Sequence, residues 1–597
     1  MLTFKKIIFL LTSTERKNAF LLLLMILVTS ILDMIGVASI LPFTAVLMNP
    51  EIIETNQILY SIFKILNNFG IKNDQQSLFY LGLLVFMLLF VSLFFKALTT
   101  YVQTRFTYMR EFSMGKRLVE RYLHQSYDWF LNRHSADLGK TILSEVDQVI
   151  SHGLNPLINL ISQSTITFML LFMLILIDPK LTIIILILIG LSYLIIYRLT
   201  RNFLTRIGKK RMNTNQERFT AVAEAFGAIK EIKINGLEKV YIERYSNPAK
   251  TYGLSQFYHQ IVTLLPRFAL EAIIFGGLLL IILYLMRQEG SFVNAAPVIA
   301  LYAFAGYRMM PAIQQIYVAL TSLRFVRPSL DFIYNEMSNS TIQNSVVNEG
   351  KILFKKEITL NDISYQYPNS SRTALKSISF KIPLGSTVGI VGVTGCGKTT
   401  TVDIILGLLE AQKGTLEVDG EVINRYNKSL WQDSIGYVPQ EIYLTDDSIS
   451  SNIAFGVNPK DIDKKIVEKV AKIANLHNFI SNELPKKYQT KVGERGVRLS
   501  GGQRQRIGIA RALYHQPKVI IFDEATSALD NLTERAVMDA VHNLDDSMTT
   551  ILIAHRLSTV RQCDNIFLLE DGSLKDQGTY DKLLESNHYF RESVLNK

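Results

Sequence analysis

Residues 392–399 read GVTGCGKT and match the phosphate-binding loop pattern G-x-x-x-x-G-K-[ST] at every required position. The apolar run 387–391 before the loop predicts a buried strand, and residues 400–409 after it predict a helix. In such a loop the glycines let backbone N–H groups turn toward phosphate oxygens, and the helix N-terminus adds a partial positive charge. The chain is therefore predicted to bind a nucleoside triphosphate in an α/β domain.

The side chains in and after this loop predict the chemistry of the site. Lys398 is long enough to reach the outer phosphates, and the Thr399 hydroxyl is a candidate Mg²⁺ ligand. The apolar run 519–522 predicts a strand that ends at Asp523 and Glu524. In enzymes with a phosphate-binding loop such an aspartate holds Mg²⁺, and Glu524 is placed to polarise the attacking water.

Apolar residues are concentrated in the first half of the 597-residue chain. Several runs there approach the roughly 20 apolar residues that a helix needs to cross a bilayer. We predict six spans, at about 18–47, 77–105, 154–177, 180–200, 261–286 and 294–322. The predicted organisation is a transmembrane domain at 1–336, a linker rich in Asn and Ser at 337–354, and a nucleotide-binding domain at 355–597.

Charge and cysteine content restrict the partners and the compartment. Lys and Arg give a net charge of +11 and are concentrated between spans, for example at 105–133 and 198–233. This asymmetry predicts a cytoplasmic N-terminus and a cytoplasmic nucleotide-binding domain. Nucleic acid is not an expected partner, because no basic patch is interleaved with aromatic residues. The two cysteines, Cys396 and Cys563, exclude a disulfide scaffold.

Two long polar segments, between spans two and three and between spans four and five, predict helices that extend into the cytosol. Tyr127–Phe130 and Gly227–Gly236, near their far ends, predict short helices that touch the nucleotide-binding domain. A further segment, Glu51 to Phe69, has apolar residues at helical spacing and predicts an amphipathic helix. The sequence leaves open whether that helix lies in the membrane interface or packs on its own domain.

Residues 499–503 read LSGGQ and reproduce the signature motif of the ATP-binding cassette (ABC) transporters, which the whole chain resembles. Six spans followed by one cassette are similar to an exporter-type half-transporter, so the expected fold is a six-helix transmembrane ABC exporter domain followed by an α/β cassette. The resemblance implies further roles: adenine stacking for Tyr367, Mg²⁺ sensing for Gln440, a D-loop ending at Asp530, and γ-phosphate contact for His555.

The resemblance also implies the cofactors ATP and Mg²⁺ and an ATP hydrolase coupled to transport. The expected catalytic residues are Glu524, His555 and Gln440, and the expected Mg²⁺ ligands are Thr399, Gln440 and Asp523. The expected ATP-binding residues are Tyr367, Gly392, Thr394, Gly395, Cys396, Gly397, Lys398, Thr399, Thr400, Ser500, Gly501, Gly502, Gln503 and Asp530.

In this family the signature motif of one cassette binds the γ-phosphate held by the loop of another cassette. One chain supplies one cassette, so the resemblance implies a second copy as partner. A homodimer would have two competent sites, because Glu524, Ser500 and His555 are all present. A heterodimer with a different partner chain remains open.

The transported molecule is the least determined feature. Charged residues inside a span are costly and indicate function, and the predicted spans hold Asp33, Lys96, Arg267, Glu271 and Arg308. Counting about 1.5 Å per residue places the three cations in the inner half of the membrane, where they could hold an anionic headgroup. The alternative is local neutralisation, with Glu271 one turn from Arg267 and Lys96 reaching the interface.

Residues 265–271 and 307–311 and the 51–69 segment resemble parts of the PglK-type flippases, although Lys stands at 96 where that family has Arg. This local resemblance implies that a polyprenyl-pyrophosphate-linked saccharide is flipped across a bacterial inner membrane. Two alternatives stay open at this point. One is an exporter of lipid A, drugs or peptides, and the other is an ATP-gated channel or a regulatory membrane ATPase.

Overall fold

The structure, a computed structural model, describes residues 2–48, 74–339 and 352–595, without 270, 273–275, 278, 280–282, 284–291, 353, 369, 525–533, 535, 540–547, 555–556 and 558. It divides into a membrane unit, Met1–Gln125 with Arg133–Ile342, and a cassette unit, Ser126–Asn132 with Gln343–Lys597. The predicted amphipathic segment 51–69, most of the linker, Asp530 and His555 lie outside the described residues.

The described residues of the first half of the chain are mainly helical. Their helices include α1 (Leu2–Leu10), α2 (Ser13–Ala38), α3 (Ile40–Met48), α4 (Asp74–Leu123), α5 (Tyr127–Leu131), α6 (Ser135–Ile177), α7 (Pro179–Gly227), α8 (Ile229–Asn235), α9 (Glu238–Leu264), α10 (Phe292–Phe325) and α11 (Arg327–Asn339). Among the described residues, three stretches are long and apolar enough to cross a membrane, at 13–47, 78–123 and 135–177. They overlap the first three predicted spans, and the second and third continue well beyond the predicted bounds. Helix α11 extends three residues into the segment predicted as linker.

The long helices confirm that helical structure continues into the polar segments, and the location of these extensions in the cytosol stays a prediction. Helices α4 and α7 have 50 and 49 residues. At about 1.5 Å per residue each is about 75 Å long, more than twice the roughly 30 Å of a hydrocarbon core. The predicted short helices are also confirmed, as α5 and α8.

A buried ion pair joins three of these helices. Arg211 on α7 lies 2.6 Å from the Glu145 carboxylate on α6, and the exposed fractions of the two side chains are 1% and 0%. The same guanidinium donates to the Ser329 hydroxyl on α11 at 2.6 Å. Removing one partner of such a pair typically costs about 3–5 kcal/mol, because the other charge is left buried and unpaired. The pair therefore fixes the register of α6, α7 and α11 against one another.

The described residues of the cassette unit form two sheets. The strands are β1 (Glu357–Gln366), β2 (Thr373–Pro383), β3 (Thr387–Gly392), β4 (Lys413–Val418), β5 (Glu421–Val422), β6 (Ile435–Val438), β7 (Val519–Asp523), β8 (Thr549–Ile553), β9 (Asn565–Glu570) and β10 (Ser573–Gly578). One sheet has the order β2-β1-β4-β5, and the other has the order β10-β9-β3-β8-β7-β6. The helices of the described residues include α12 (Lys398–Ile405), α13 (Lys428–Gln432), α14 (Ile449–Ile453), α15 (Lys464–Ile473), α16 (His477–Asn482), α17 (Gly501–Tyr514), α18 (Tyr580–Ser586) and α19 (His588–Leu595).

Parallel pairing in the second sheet positions the functional residues. Strand β3 pairs in parallel with β8 and β9, and β7 pairs in parallel with β8 and β6. Both faces are buried, since Val388 and Ile390 face the core between the sheets and Val391 faces the helices on the other side. The carboxyl ends of β3, β7 and β6 therefore meet at one edge, where open α/β sheets bind their ligands.

The helix after the phosphate-binding loop is shorter than predicted. It ends at Ile405 rather than Leu409, because Gly407 adopts a left-handed conformation with φ of +65°. The Leu408 N–H then bonds back to the Asp403 carbonyl at 2.9 Å. A glycine in this conformation is a common way to end a helix, and an apolar run alone does not reveal it.

Helix α5 belongs to the cassette unit, although the helices around it in sequence belong to the membrane unit. Ser126 and Asp128 line a cavity of about 340 Å³ together with Tyr365 and Arg425. Burial, followed by the nearby charge of Asp403, raises the pKa of Tyr127. The prediction that this short helix touches the nucleotide-binding domain is confirmed, and it does so next to α12.

A carboxylate clasp holds the start of β1 to the turn after β4. Asp419 accepts hydrogen bonds from the backbone N–H groups of Lys355, Lys356 and Glu357 at 2.6, 2.8 and 2.9 Å. Burial raises the pKa of the Asp419 carboxyl, but these donors outweigh it and hold the pKa below its ordinary value of 3.8. The charged form is therefore the one that the fold stabilises.

We expect Asp419→Ala to speed hydrogen exchange of the β1 amides about tenfold or more, since hydrogen bonds to a charged group each contribute about 1.5–3 kcal/mol. Because folding lowers the pKa, this stabilisation is present above pH 3.8 and is lost as the pH falls below it. Exchange mass spectrometry of the full chain measures this. The control is Asp461→Ala, at an exposed aspartate, and equal exchange in the two variants would contradict the clasp.

Candidate functional site

The phosphate-binding loop is closely packed on its own sheet. Gly392 and Gly397 have φ of +153° and +104°, which L side chains rarely adopt. A Cβ at Gly392 would lie 2.2 Å from the Leu569 carbonyl oxygen, and one at Gly397 would lie 2.6 Å from the Leu375 side chain. Both conformation and space therefore require glycine, and the loop holds its shape before any phosphate arrives.

Lys398 is folded back over this loop. Its side chain is buried, and its ammonium donates to the carbonyl oxygens of Gly392 at 2.8 Å and Val393 at 3.2 Å. Thr394 and Thr399, both in the loop, are exposed. Phosphate oxygens entering the loop are charged acceptors and bond an ammonium more strongly than carbonyl oxygens do. The geometry therefore suits the predicted role of Lys398 as a phosphate-binding residue.

Tyr367 lies against the helix that follows the loop. Its hydroxyl is 3.0 Å from the Thr400 hydroxyl, and its ring contacts the Tyr365 ring edge to face at 5.1 Å between centroids. The structure thus brings together three predicted features, the loop, Thr400 and the aromatic residue. Stacking of Tyr367 on adenine stays a prediction.

Two further residues lie near the predicted Mg²⁺ ligand Asp523. The Tyr437 hydroxyl on β6 donates to the buried Asp523 carboxylate at 3.1 Å. Burial and then the charge of Asp523 raise the pKa of Asp403 to about 6. Neither residue was predicted from the sequence to belong to the site. Helical spacing could have indicated Asp403, which lies one turn after Thr399, whereas the position of Tyr437 depends on the pairing of β6 with β7.

Glu524 follows β7 in a strained conformation that directs its side chain. Its φ is +51°, and its N–H bonds to the Ile553 carbonyl on β8 at 3.1 Å. The Gln440 amide donates to the Glu524 carboxylate at 2.8 Å. Non-glycine residues with positive φ cluster at functional sites, where the surrounding structure holds them. Two residues predicted to be catalytic from distant segments therefore lie in direct contact.

The signature motif begins helix α17. Ser500 caps the helix, since its hydroxyl oxygen accepts the Gln503 N–H at 3.2 Å and its own N–H bonds to the Gln503 side chain at 2.8 Å. Because the Ser500 hydroxyl caps the helix as an acceptor, its own proton is still available for donation. Ser500 is exposed to solvent. The helix N-terminus therefore presents a hydroxyl and a partial positive charge to a binding partner. Asp530 and His555, also predicted for the site, are outside the described residues.

The predicted Mg²⁺ ligands have suitable chemistry. Thr399, Asp523 and Gln440 offer hydroxyl, carboxylate and amide oxygens, the hard donors that Mg²⁺ prefers. Such sites use one or two protein carboxylates and complete the octahedron with water and substrate phosphates. The residues present fit the ion, with Asp523 as the carboxylate that would hold it.

In the membrane unit, Lys96 and Arg308 converge on Asp33. The Asp33 carboxylate lies 3.5 Å from the Lys96 ammonium and 3.6 Å from the Arg308 guanidinium. The three residues line a cavity of about 80 Å³ with the amides of Gln163 and Gln315. The third cation predicted for this site, Arg267, lies elsewhere, and its side chain donates to Glu271 at 2.7 Å.

Comparison with known proteins identifies the family. The sequence model described as ABC transporter matches residues 375–527, and the model described as ABC transporter transmembrane region matches residues 53–311. ATP-dependent lipid A-core flippases are similar over most of their length. That of Coxiella burnetii is 30% identical over 464 residues, 78% of each chain, and that of Saccharophagus degradans is 31% identical over 480 residues, 78% of this chain and 77% of the relative.

Two further similarities are informative in different ways. Multidrug resistance protein pgp-1 of Caenorhabditis elegans is 40% identical over 249 residues, 41% of this chain, and the match spans only 19% of that relative. The solved structure described as a bacterial Atm1-family ABC exporter with ATP bound superposes with a TM-score of 0.78 at 22% identity, covering 98% of this chain and 99% of that one. At this identity the superposition supports the fold.

The fold and the site define the class of the protein as a multi-pass membrane ATPase with a transmembrane exporter domain and a nucleotide-binding cassette. The chain belongs to the ABC transporter family and is an ATP-driven exporter, in which ATP hydrolysis is coupled to transport. The expected fold class, the enzyme class and the binding of ATP are confirmed.

We expect Glu524→Gln to lower ATP hydrolysis about 10²–10⁴-fold while ATP binding is kept, since general acid–base groups contribute factors of this size. The amide preserves the shape of the side chain and its contact with Gln440. Phosphate release and nucleotide binding are the two measurements. The control is Glu585→Gln, at an exposed glutamate of α18, and equal hydrolysis by both variants would remove Glu524 from the mechanism.

Proposed function

We propose that this exporter flips an amphipathic lipid with an anionic headgroup across a bacterial inner membrane. The proposed substrate is a polyprenyl-pyrophosphate-linked saccharide. The observation that carries this proposal is the convergence of Lys96 and Arg308 on one cavity in the membrane unit. Two cations within a few ångströms of one point in membrane helices are costly, and such groups mark substrate pathways.

The chemistry of the cavity suits a phosphate-containing headgroup. An arginine guanidinium binds phosphate oxygens in a planar fork, and a lysine ammonium adds a second positive charge. The amides of Gln163 and Gln315 offer further N–H donors in the same cavity. Arg267 is half exposed and already paired with Glu271, so the headgroup role rests on the other two cations.

We further propose that two copies of the chain form the working unit. Ser500 caps α17 at the surface of the cassette and presents its hydroxyl outward. In the proposed dimer, this hydroxyl and the helix N-terminus meet the γ-phosphate held by Lys398 of a second copy, with Mg²⁺ held by Asp523 and Thr399. ATP then bridges the two cassettes, and hydrolysis removes the bridge, which biases the membrane helices between two states.

Lipid A is the alternative substrate favoured by a specific observation, the similarity to lipid A-core flippases over about 78% of the chain. The two substrates are separated by measuring ATPase stimulation and flipping in proteoliposomes. The panel is a polyprenyl-pyrophosphate saccharide, lipid A, peptides and a neutral glycolipid. Stimulation and flipping of the first lipid alone supports the proposal, and flipping of lipid A alone supports the alternative. A channel or regulatory ATPase would move none of them uphill.

We expect Arg308→Gln and Lys96→Gln each to lower flipping of the polyprenyl-pyrophosphate saccharide about tenfold or more, because each removes a charge that pairs with the headgroup. Arg267→Gln is the matched control, since that arginine is paired with Glu271. It is expected to change flipping less than about twofold, because exposed ion pairs contribute little free energy. Undiminished flipping by Arg308→Gln would refute the headgroup site.

A further inference from the structure

The cavity of Lys96 and Arg308 already contains an anion of the protein itself. The Asp33 side chain is 3% exposed and lies between the two cations at 3.5 and 3.6 Å. Ser92, one turn before Lys96 on α4, donates its hydroxyl proton to the same carboxylate. Asp33 is on α2 and Arg308 is on α10, so this carboxylate joins three helices of the membrane unit.

Geometry shows that the cations keep capacity for a second anion. Charge-assisted hydrogen bonds between nitrogen and oxygen measure about 2.7–2.9 Å, and both contacts to Asp33 are longer than that. The Lys96 side chain is 41% exposed and that of Arg308 is 17% exposed. The pairs with Asp33 are therefore looser than direct hydrogen bonds, and open space of about 80 Å³ adjoins them.

The charge of the cluster sets how strongly it attracts lipid headgroups. Two cations and one carboxylate leave a net charge of +1, whereas the same cations without Asp33 would present +2. Coulomb attraction scales with the product of the charges, so Asp33 halves the attraction for any incoming anion. At a net charge of +1, the cluster attracts a doubly charged pyrophosphate diester twice as strongly as a singly charged phosphodiester.

We propose that Asp33 is the resident counter-ion of the headgroup site and sets its affinity for anionic lipids. By weakening that affinity it keeps the abundant, singly charged phospholipids from occupying the site, and it allows a doubly charged substrate to leave after transfer. A translocation site must bind strongly enough to load and weakly enough to release. The inference deepens the proposed function, on which its substrate class rests, and it assigns to Asp33 a role in specificity.

The experiment uses the full-length protein in vesicles and compares wild type with Asp33→Asn. We expect the half-saturating concentration of the polyprenyl-pyrophosphate saccharide, read from ATPase stimulation, to fall about tenfold in the variant, the scale of one close charge pair. Maximal flipping is expected to fall as well, because release slows. Replacing phosphatidylcholine by phosphatidylglycerol in the vesicles is expected to inhibit ATP hydrolysis by the variant and to leave ATP hydrolysis by the wild type unchanged.

Three controls separate charge from packing. Ser92→Ala removes a hydrogen bond to Asp33 and leaves every charge in place, so it is expected to stay insensitive to phosphatidylglycerol. The double variant Asp33→Asn with Lys96→Gln returns the net charge of the cluster to +1. We expect phosphatidylglycerol not to inhibit this variant. Gln163→Glu adds a carboxylate to the intact cavity and is expected to raise the half-saturating concentration, a test that does not depend on removing Asp33.

The outcomes distinguish this inference from the proposed function. Strong stimulation of wild type by the pyrophosphate lipid, with Asp33→Asn unchanged in half-saturation and insensitive to phosphatidylglycerol, overturns the role of Asp33 and leaves the proposed function standing. Inhibition of Asp33→Asn by phosphatidylglycerol supports the role of Asp33 in either case. If the pyrophosphate lipid stimulates neither protein, that lack of stimulation overturns the proposed substrate. Equal inhibition of Asp33→Asn and Ser92→Ala shows a packing effect and overturns the inference.

Discussion

The parallel pairing of β3, β8, β7 and β6 is the constraint on which the nucleotide site depends. It brings the phosphate-binding loop, the Asp523 carboxylate and the Gln440–Glu524 contact to one edge of a sheet, although these residues are up to 132 positions apart in the chain, from 392 to 524. Buried apolar residues on both faces of β3 hold that edge in place. The chemistry needs such rigidity, because positioning and electrostatics provide most of the catalysis in phosphoryl transfer.

In the membrane unit, ion pairs between helices, rather than the pairing of strands, hold the functional residues in place. A buried ion pair, Arg211 with Glu145, joins α7 to α6, and a second cluster around Asp33 holds the cations of the cavity. The first pair is fully buried and close, as expected for a structural contact. The second is looser and next to open space, which suits a site that exchanges its anion.

Local sequence patterns predicted the strand before the loop, the strand ending at Asp523 and the short helices α5 and α8, because each depends on neighbouring residues. They could not predict that α12 ends at Ile405, which depends on the left-handed conformation of Gly407. Nor could they show that Asp33 lies between Lys96 and Arg308. Those residues are on three spans, and spacing within one span does not fix its rotation against another. Tyr437 was missed for the same reason, since strand pairing carries it to Asp523.

In the proposed dimer, the loop of one copy and the signature motif of a second copy share each nucleotide. The direct test mixes copies carrying Lys398→Ala with copies carrying Ser500→Arg, each inactive when alone. A mixed pair keeps one intact site, made from the loop of the second variant and the signature motif of the first. Sharing of the nucleotide between copies predicts that co-assembly restores substrate-stimulated ATP hydrolysis. Hydrolysis that stays at the level of the separate variants, with mixed pairs demonstrably formed, would contradict it.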